Sequence, residues 1–472
     1  MPGIADWSSY LPRYRLPRSV IAQQWGWFGS GGGRAARGTR TLANWDEDAL
    51  TMAVAAARQL GSDDVASLTF ASTTAPFEDR SNAGLVAEAC GLPPAIRTHD
   101  VGGSQRAATS ALLAALHSAD SSLITAADRR TAPPGSSAEW RYGDAAAALV
   151  TTPDAGAAEF VAGASVQRDF VDHYRTRELG RDYELEDRWV RDSGVLEVLP
   201  DLLRQIMDQA QLALTDIDHL VLPLAVPHAR AVARALDLDP ATLTDPLHEE
   251  IGETGAGHPL LMLAKVLDTA DAGDLIALCG FGQGGDVLLL RVTGAAAAGR
   301  GGPNPASVTL DDYLRLPVYT RQLAPPLGNR GEADKRTAQS AYYRRRGAVN
   351  AMQGSRCTAC QTPHFPPARI CVSCGAVDQM ETMDFSRRGA RLKSFTEDWL
   401  AATPAPPLCY GNVAFDGGGN ALLELTDVAP AQLAVGLELT MQFRIKDFDD
   451  ARGFRRYFWK PQPVIAAGAD HG

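Results

Sequence analysis

Lysine is nearly missing from this sequence. Five of its 45 basic residues are lysines (Lys265, Lys335, Lys393, Lys446 and Lys460), so no lysine Schiff base can form before residue 265. Positive charge is short overall: 45 Lys and Arg against 56 Asp and Glu leave a net charge of −11. That balance argues against general nucleic-acid or anionic-membrane binding. No apolar run approaches the ~18 residues of a membrane span, and Met1–Asp6 lacks the basic and apolar regions of a secretion signal. These absences predict a soluble, cytoplasmic protein. Cysteine is scarce outside one short stretch. Cys90, Cys279 and Cys409 lie singly in apolar surroundings, where a thiol is expected to pack as a small buried hydrophobe. What is present is a chain of 472 residues, 45% hydrophobic and 21% charged. This is enough for two to four folding units, and it excludes a disordered or collagen-like chain.

Residues 45 to 130 alternate between helical and strand patterning. Asp48–Arg58, Asn82–Ala89 and Gln105–Ser118 read as helices, while Val65–Ala71, Asp100–Ser104 and Ser122–Ala127 read as strands or strand ends. A second pass follows, with a strand at Ile217–Leu224, helices at Ala229–Leu236 and Leu260–Ala270, and strands at Asp274–Cys279 and Asp286–Val292. Alternation of this kind predicts α/β layers. Two similar passes predict a duplicated unit, with halves at 1–165 and 166–322. Gly294–Pro305 is a low-complexity loop, and the polar stretch 323–334 reads as a linker. Beyond it, 335–388 carries a leading helix and a cysteine cluster, and 389–465 is mostly β.

Four cysteines fall within eighteen residues. Cys357 and Cys360 form one C-x2-C turn, Cys371 and Cys374 a second. Zinc takes four soft ligands in a tetrahedron, and each turn presents two thiolates from one tight loop. Four cysteines close the coordination sphere, so the expected zinc is structural. His364, between the turns, is a competing ligand or a core histidine.

The C-terminal part, from Arg356-Cys357 through Phe365-Pro-Pro and Cys374-Gly375 to Arg456-Tyr-Phe-Trp-Lys-Pro461, resembles the zinc ribbon plus OB-fold β-barrel that accompanies thiolase-type enzymes. That resemblance implies contact with acyl-CoA. The N-terminal part resembles hydroxymethylglutaryl-CoA synthase and ketoacyl synthase III of the thiolase superfamily. Tyr10–Arg15 matches the opening strand and turn, and Ser104–Leu112 the nucleophile loop and helix. Ile251–Asp268 matches the late active-site loop and helix, and Asp274–Val292 the final hairpin. The resemblance implies a duplicated, five-layered αβαβα fold, a homodimer, and a CoA or carrier thioester as substrate.

The family's chemistry does not carry over residue by residue. Where the family has its acylated cysteine this chain has Gln105. The general-base histidine falls at Leu222, the acid glutamate at Thr73 and the active-site asparagine at Glu253. An acyl-cysteine at that position is excluded. A glutamine amide can still donate to a thioester oxygen, and the same Cys-to-Gln change accompanies malonyl decarboxylation in some loading ketosynthases. By this reading Gln105 orients the thioester, with Thr73 and Arg106 lining the substrate. The Gly282–Gly285 turn offers backbone donors, and Glu253 or His258 moves protons. The alternative is a Glu253 paired with Arg106 and a His258 capping the helix that starts at Pro259.

Other features invite plainer readings. Gly280–Gly285 fits G-x-G-x-x-G, but a strand follows it, so a dinucleotide fingerprint fails. Gly29–Gly33 has no following Lys-[Ser/Thr]. His99 is expected to be packed, His228 to cap a helix or face solvent, and Arg344–Arg346 to pair with CoA phosphates or face solvent. Three functions remain open at this stage: a thioester enzyme acting through an enolate, a malonyl-type decarboxylase, and a non-catalytic acyl-CoA scaffold.

Overall fold

The computed structural model describes residues 1–28, 36–61, 64–118, 120–176, 178–294, 307–327 and 338–464. The glycine run 29–33, positions 295–305 of the low-complexity loop and positions 328–334 of the linker lie outside them. The chain forms two compact units. One comprises Met1–Ala43, Asp48–Val86 and Ala95–Tyr313; the other comprises Asn44–Glu47, Ala87–Pro94 and the chain from Leu314 onward.

The first unit is built on nine strands: β1 (Gly3–Tyr10), β2 (Ser67–Ala71), β3 (Arg97–Val101), β4 (Ser122–Asp128), β5 (Ala145–Thr152), β6 (Ala158–Gln167), β7 (His219–Val221), β8 (Leu275–Phe281) and β9 (Gly284–Val292). Their order is β7-β8-β9-β6-β1-β5-β4-β2-β3. The order contains the same motif twice. β1 pairs antiparallel with β5, β5 antiparallel with β4, and β4 and β3 flank β2 in parallel. Likewise β6 pairs antiparallel with β9, β9 antiparallel with β8, and β8 parallel with β7. A single parallel bridge from Leu220 to Leu243 stands where the fifth strand of the second motif would lie.

Burial explains the sequence of these strands. Ile276 and Leu278 on β8 join one apolar cluster, whereas Leu275, Ala277, Cys279 and Phe281 join another. Both faces are covered, so the run is continuously apolar instead of alternating. Five helices make the covering layers. α1 (Ala49–Ala57) packs on β1, β4 and β5. α2 (Ala107–Leu116) and α5 (His258–Leu267) lie between the two strand motifs and touch both. α3 (Leu196–Ala210) and α4 (Val226–Ala235) cover the outer face of the second motif. The layering is therefore αβαβα. α1 starts on a reciprocal cap, with Thr51 N–H donating to the Asp48 carboxylate and Asp48 N–H donating to the Thr51 hydroxyl.

In the second unit β10 (Gln353–Cys357) pairs with β11 (Pro363–His364) and β12 (Met380–Asp384). Five further strands, β13 (Ala390–Asp398), β14 (Leu408–Phe415), β15 (Asn420–Glu424), β16 (Glu438–Asp449) and β17 (Phe454–Pro463), form an antiparallel sheet in the order β15-β14-β13-β16-β17. Its outer strands curl back together. Thr426, just past β15, donates its N–H to Pro461 on β17, and the Lys460 ammonium lies 3.7 Å from Glu424. Within this unit Arg444 is fully buried against Glu47 and Asp427, and Lys460 pairs with Asp46 at 2.9 Å. Each buried charge there has an opposite partner, as burial requires.

Three expectations need correction. Cys279 and Cys409 are buried, but Cys90 is only half-buried. His99 lies exposed on the outer strand β3 because no described strand pairs with its far side. His228 is buried in α4 and pairs with Asp187 at 3.1 Å, so it neither caps nor faces solvent. No helix among the described residues is long and apolar enough to cross a membrane.

Candidate active site and metal centre

The chain turns after β3 and enters α2 through Ser104, Gln105 and Arg106. This entry is clamped to the β8–β9 hairpin. Ser104 Oγ and Arg106 Nε both donate to the Gly282 carbonyl, at 2.8 and 2.9 Å. Arg106 Nη1 pairs with the buried Asp286 at 2.7 Å, and Thr109, Ser110 and Ser165 hydroxyls donate to the same carboxylate. A side chain at Gly282 would collide with Ser104 Oγ. Arg106 is thus a structural clamp, and its expected role on the substrate is not what its contacts serve. The Gly282 N–H donates to Gly284 O, which removes it as an oxyanion donor. Gly285 sits in the ladder between Phe281 and Val166.

Gln105 is half-buried at the start of α2. Its amide oxygen is assigned toward Arg130, at 3.0 Å from Nη2 and 3.2 Å from Nη1, and toward His173 Nε2 at 3.1 Å. The opposite orientation would set the NH2 against donors only. The NH2 therefore turns away from all three. His173 belongs to a short ribbon in which His173–Tyr174 pairs with Tyr183–Glu184. Its Nδ1 lies 2.9 Å from the Asp172 carboxylate. Both ring nitrogens thus face oxygen acceptors. Sequence reasoning overlooked Asp172, His173 and Arg130. The one signal available was an Asp-His pair inside a polar excursion after β6.

Arg130 is the centre of the site. Its side chain is 1% exposed and its ring-facing side stacks on Tyr142 at 3.7 Å. Nε pairs with Asp182 at 2.6 Å, Nη1 pairs with Glu253 at 3.0 Å, and Nη2 donates to the Tyr142 hydroxyl. Gln105 and Glu253 accordingly accept from the same guanidinium nitrogen. Glu253 pairs with Arg130 and, at 3.6 Å, with Arg141; it does not pair with Arg106. Burial would raise its carboxyl, but Arg130 and Arg141 outweigh that and hold it well below the usual carboxylate range. A carboxylate so strongly held is a poor proton acceptor.

His258 is the first residue of α5, not a cap ahead of it. Its Nδ1 accepts from the Thr254 N–H at 3.2 Å, and its Nε2 lies 2.8 Å from the Pro246 carbonyl. Desolvation, helped by His248 nearby, pushes it down to about 3. The ring is a neutral, fully engaged core histidine. Its depressed value predicts a pH signature: the unfolded chain binds a proton below 6.5 that the folded chain refuses until about 3. Stability contributed by neutral His258 is present above 6.5 and falls as pH drops through that window. Thermal melts of His258→Gln should lose part of this acid sensitivity; an unchanged pH dependence would refute the assignment.

Thr73 is held from below by Asp128. That buried carboxylate accepts from the Ser72, Thr73 and Thr74 hydroxyls, from the Thr73 and Thr74 N–H groups, and from Ala256 N–H at 2.7 Å. It ties the Thr73 loop to the glycine loop. Gly255, at φ +61°, is required there, since a Cβ would sit 2.4 Å from the Asp128 carboxylate. Leu222, at the position of the family's histidine, is buried among apolar residues of the outer core.

In the second unit the four sulfurs of Cys357, Cys360, Cys371 and Cys374 lie within 4.8 Å of one another. The Cys357–Cys374 and Cys360–Cys371 separations are 3.7 and 3.4 Å. A tetrahedral Zn–S shell of ~2.3 Å sets sulfurs about 3.8 Å apart, so the set fits zinc. His364 is buried on β11 and is not part of this cluster. Arg346 rests over Tyr343, 3.9 Å from Glu88.

Residues 207–289 match the family described as 3-oxoacyl-[acyl-carrier-protein (ACP)] synthase III C terminal. The chain is 27% identical over 332 residues to hydroxymethylglutaryl-CoA synthase of Aeropyrum pernix, covering 66% of this chain and 90% of that one. Among solved structures, a hydroxymethylglutaryl-CoA synthase complexed with CoA matches 72% of this chain and 95% of its own, at 18% identity and TM-score 0.58. The 3-oxoacyl-(acyl carrier protein) synthase III of Pseudomonas aeruginosa matches 62% and 98%, at 23% identity and TM-score 0.55. The first unit has the thiolase-type fold of these proteins.

Proposed function

We propose that this chain transforms acyl thioesters, of CoA or of an acyl carrier, through an enolate and without an acyl-cysteine. The observation that carries this reading is the Gln105 amide, fixed through its oxygen by Arg130 and His173. Its NH2 is left to donate to a thioester carbonyl at the N-terminus of α2, where the helix dipole also favours developing negative charge. An enolate serves both condensation and decarboxylation. The similarity to hydroxymethylglutaryl-CoA synthases and to acyl-carrier-protein synthases supports the substrate class. A polar cluster that fixes one amide and leaves its NH2 to donate is more than a scaffold that only binds acyl-CoA requires.

The second unit fits the same reading. We take its cysteine cluster as a structural zinc site and its curled five-stranded sheet as an OB-fold barrel. The outer strand β3 ends the described sheet with no strand on its far side, an open edge that supports pairing with a second copy as a homodimer.

Turnover of acetyl-CoA and malonyl-CoA tests the proposal. Gln105→Ala should lower kcat tenfold or more, since one well-aimed oxyanion donor supplies about 3 kcal/mol. Turnover unaffected by that change would remove Gln105 from the chemistry. No turnover by the native chain would favour the scaffold.

A further inference from the structure

We infer that Tyr142 is a positioning residue of this site: its phenol, oriented by Glu184, aims the Arg130 guanidinium at the Gln105 oxygen. The inference rests on the thioester reading above and adds to it residues that stand behind the reacting groups. A guanidinium has five N–H donors, and those of Arg130 can be assigned one by one. Nε–H goes to Asp182 at 2.6 Å. One N–H of Nη1 goes to Glu253 at 3.0 Å, and one of Nη2 goes to the Tyr142 oxygen. Two donors remain, one on each Nη. Both fall on the Gln105 oxygen, at 3.2 and 3.0 Å. Glu253 and Tyr142 thus take one donor from each terminal nitrogen and leave the other for the amide.

Backbone contacts set the spacing between those two flanking groups. Tyr142 and Glu253 meet in a parallel bridge. Gly143 N–H donates to the Glu253 carbonyl, and Glu253 N–H donates to the Arg141 carbonyl. Glycines permit the approach. A Cβ at Gly143 would collide with the Ile251 carbonyl, and one at Gly252, where φ is +84°, would lie 2.7 Å from the Arg141 carbonyl oxygen. The phenol between these segments is fully buried, and burial raises it well above its ordinary value. It therefore keeps its proton at neutral pH, and that buried O–H needs an acceptor. Glu184 receives it at 2.7 Å, against 3.2 Å to Asp182. Arg141 in turn holds Glu184 at 2.5 Å. With its hydrogen committed to Glu184, the phenol oxygen presents its lone pairs to Nη2. Tyr142 acts on the amide through Arg130.

The test is a double-mutant cycle on the full-length protein, with acetyl-CoA and malonyl-CoA as separate substrates. Tyr142→Phe keeps the ring that stacks on the guanidinium and removes only the hydroxyl. It should lower kcat about tenfold or more, as misplacing a catalytic group does, with KM little changed. In a Gln105→Ala background the same change should cost no further kcat, because both residues act through one amide. A merely structural Tyr142 would lower kcat by the same factor in each background. Glu184→Gln weakens the hold on the phenol and should show the same pattern at smaller size; it decides the matter if Tyr142→Phe does not fold. Native turnover with unchanged kcat in the folded variant, or an equal loss in both backgrounds, would overturn this inference while sparing the proposed function. No turnover of either thioester by the native chain would overturn both.

Discussion

Arg130→Met should destabilise the first unit by about 3–5 kcal/mol and abolish turnover, the largest single-residue effect expected in this molecule. The guanidinium is buried between Asp182 and Glu253 and stacked on Tyr142. Removing one partner of a buried ion pair strands the other charge, and that cost lies on this scale. The loss of activity has a separate origin. Arg130 holds the Gln105 oxygen, so without it the amide is free to rotate and its NH2 no longer points one way. Arg130→Lys keeps the charge but not the planar fork. It should recover stability better than activity. Thermal denaturation and kcat measured on both variants separate the two effects. Native-like melting and turnover in Arg130→Met would show that the cluster is incidental.

The second large effect is expected at the cysteine cluster. The purified chain should carry about one zinc per molecule, and Cys371→Ser should lose most of it. Because metal binding supplies folding free energy to such sites, the second unit should then melt earlier and become sensitive to proteases. Chelation of the native protein should have the same effect. Metal analysis of freshly purified protein finding neither zinc nor iron, or a Cys371→Ser chain with unchanged melting, would contradict the assignment.

Legibility in the sequence followed the strength of local pattern. The helices around α1 and α2 and the strands β2 and β4 show clear changes of period, and the two C-x2-C turns announce their sulfurs by spacing alone. β5 was hidden for a physical reason. Its Ala145–Ala148 run has high helix propensity, and only burial on both faces makes it a strand. Gln105 stood out because a helix entry that should hold a thiol holds an amide. Its partners did not. Arg130 reaches it from the end of β4, and His173 comes from a two-residue strand with no period to read, 68 residues along the chain. Glu253 was visible as a carboxylate in a glycine loop. Its partner was not, because pairing with Arg130 in place of Arg106 depends on how the loop folds over Asp128.

The central claim is that thioester chemistry proceeds here with no bond between protein and acyl group. Cys279, the single cysteine of the first unit, is buried in β8, and burial pushes its thiol up, away from nucleophilic ionisation. Intact-mass spectrometry of the protein during turnover of malonyl-CoA is the most direct measurement. The account predicts an unmodified mass at every time point while product accumulates. A stoichiometric acetyl or malonyl adduct on any cysteine, formed and lost at the rate of turnover, would contradict it.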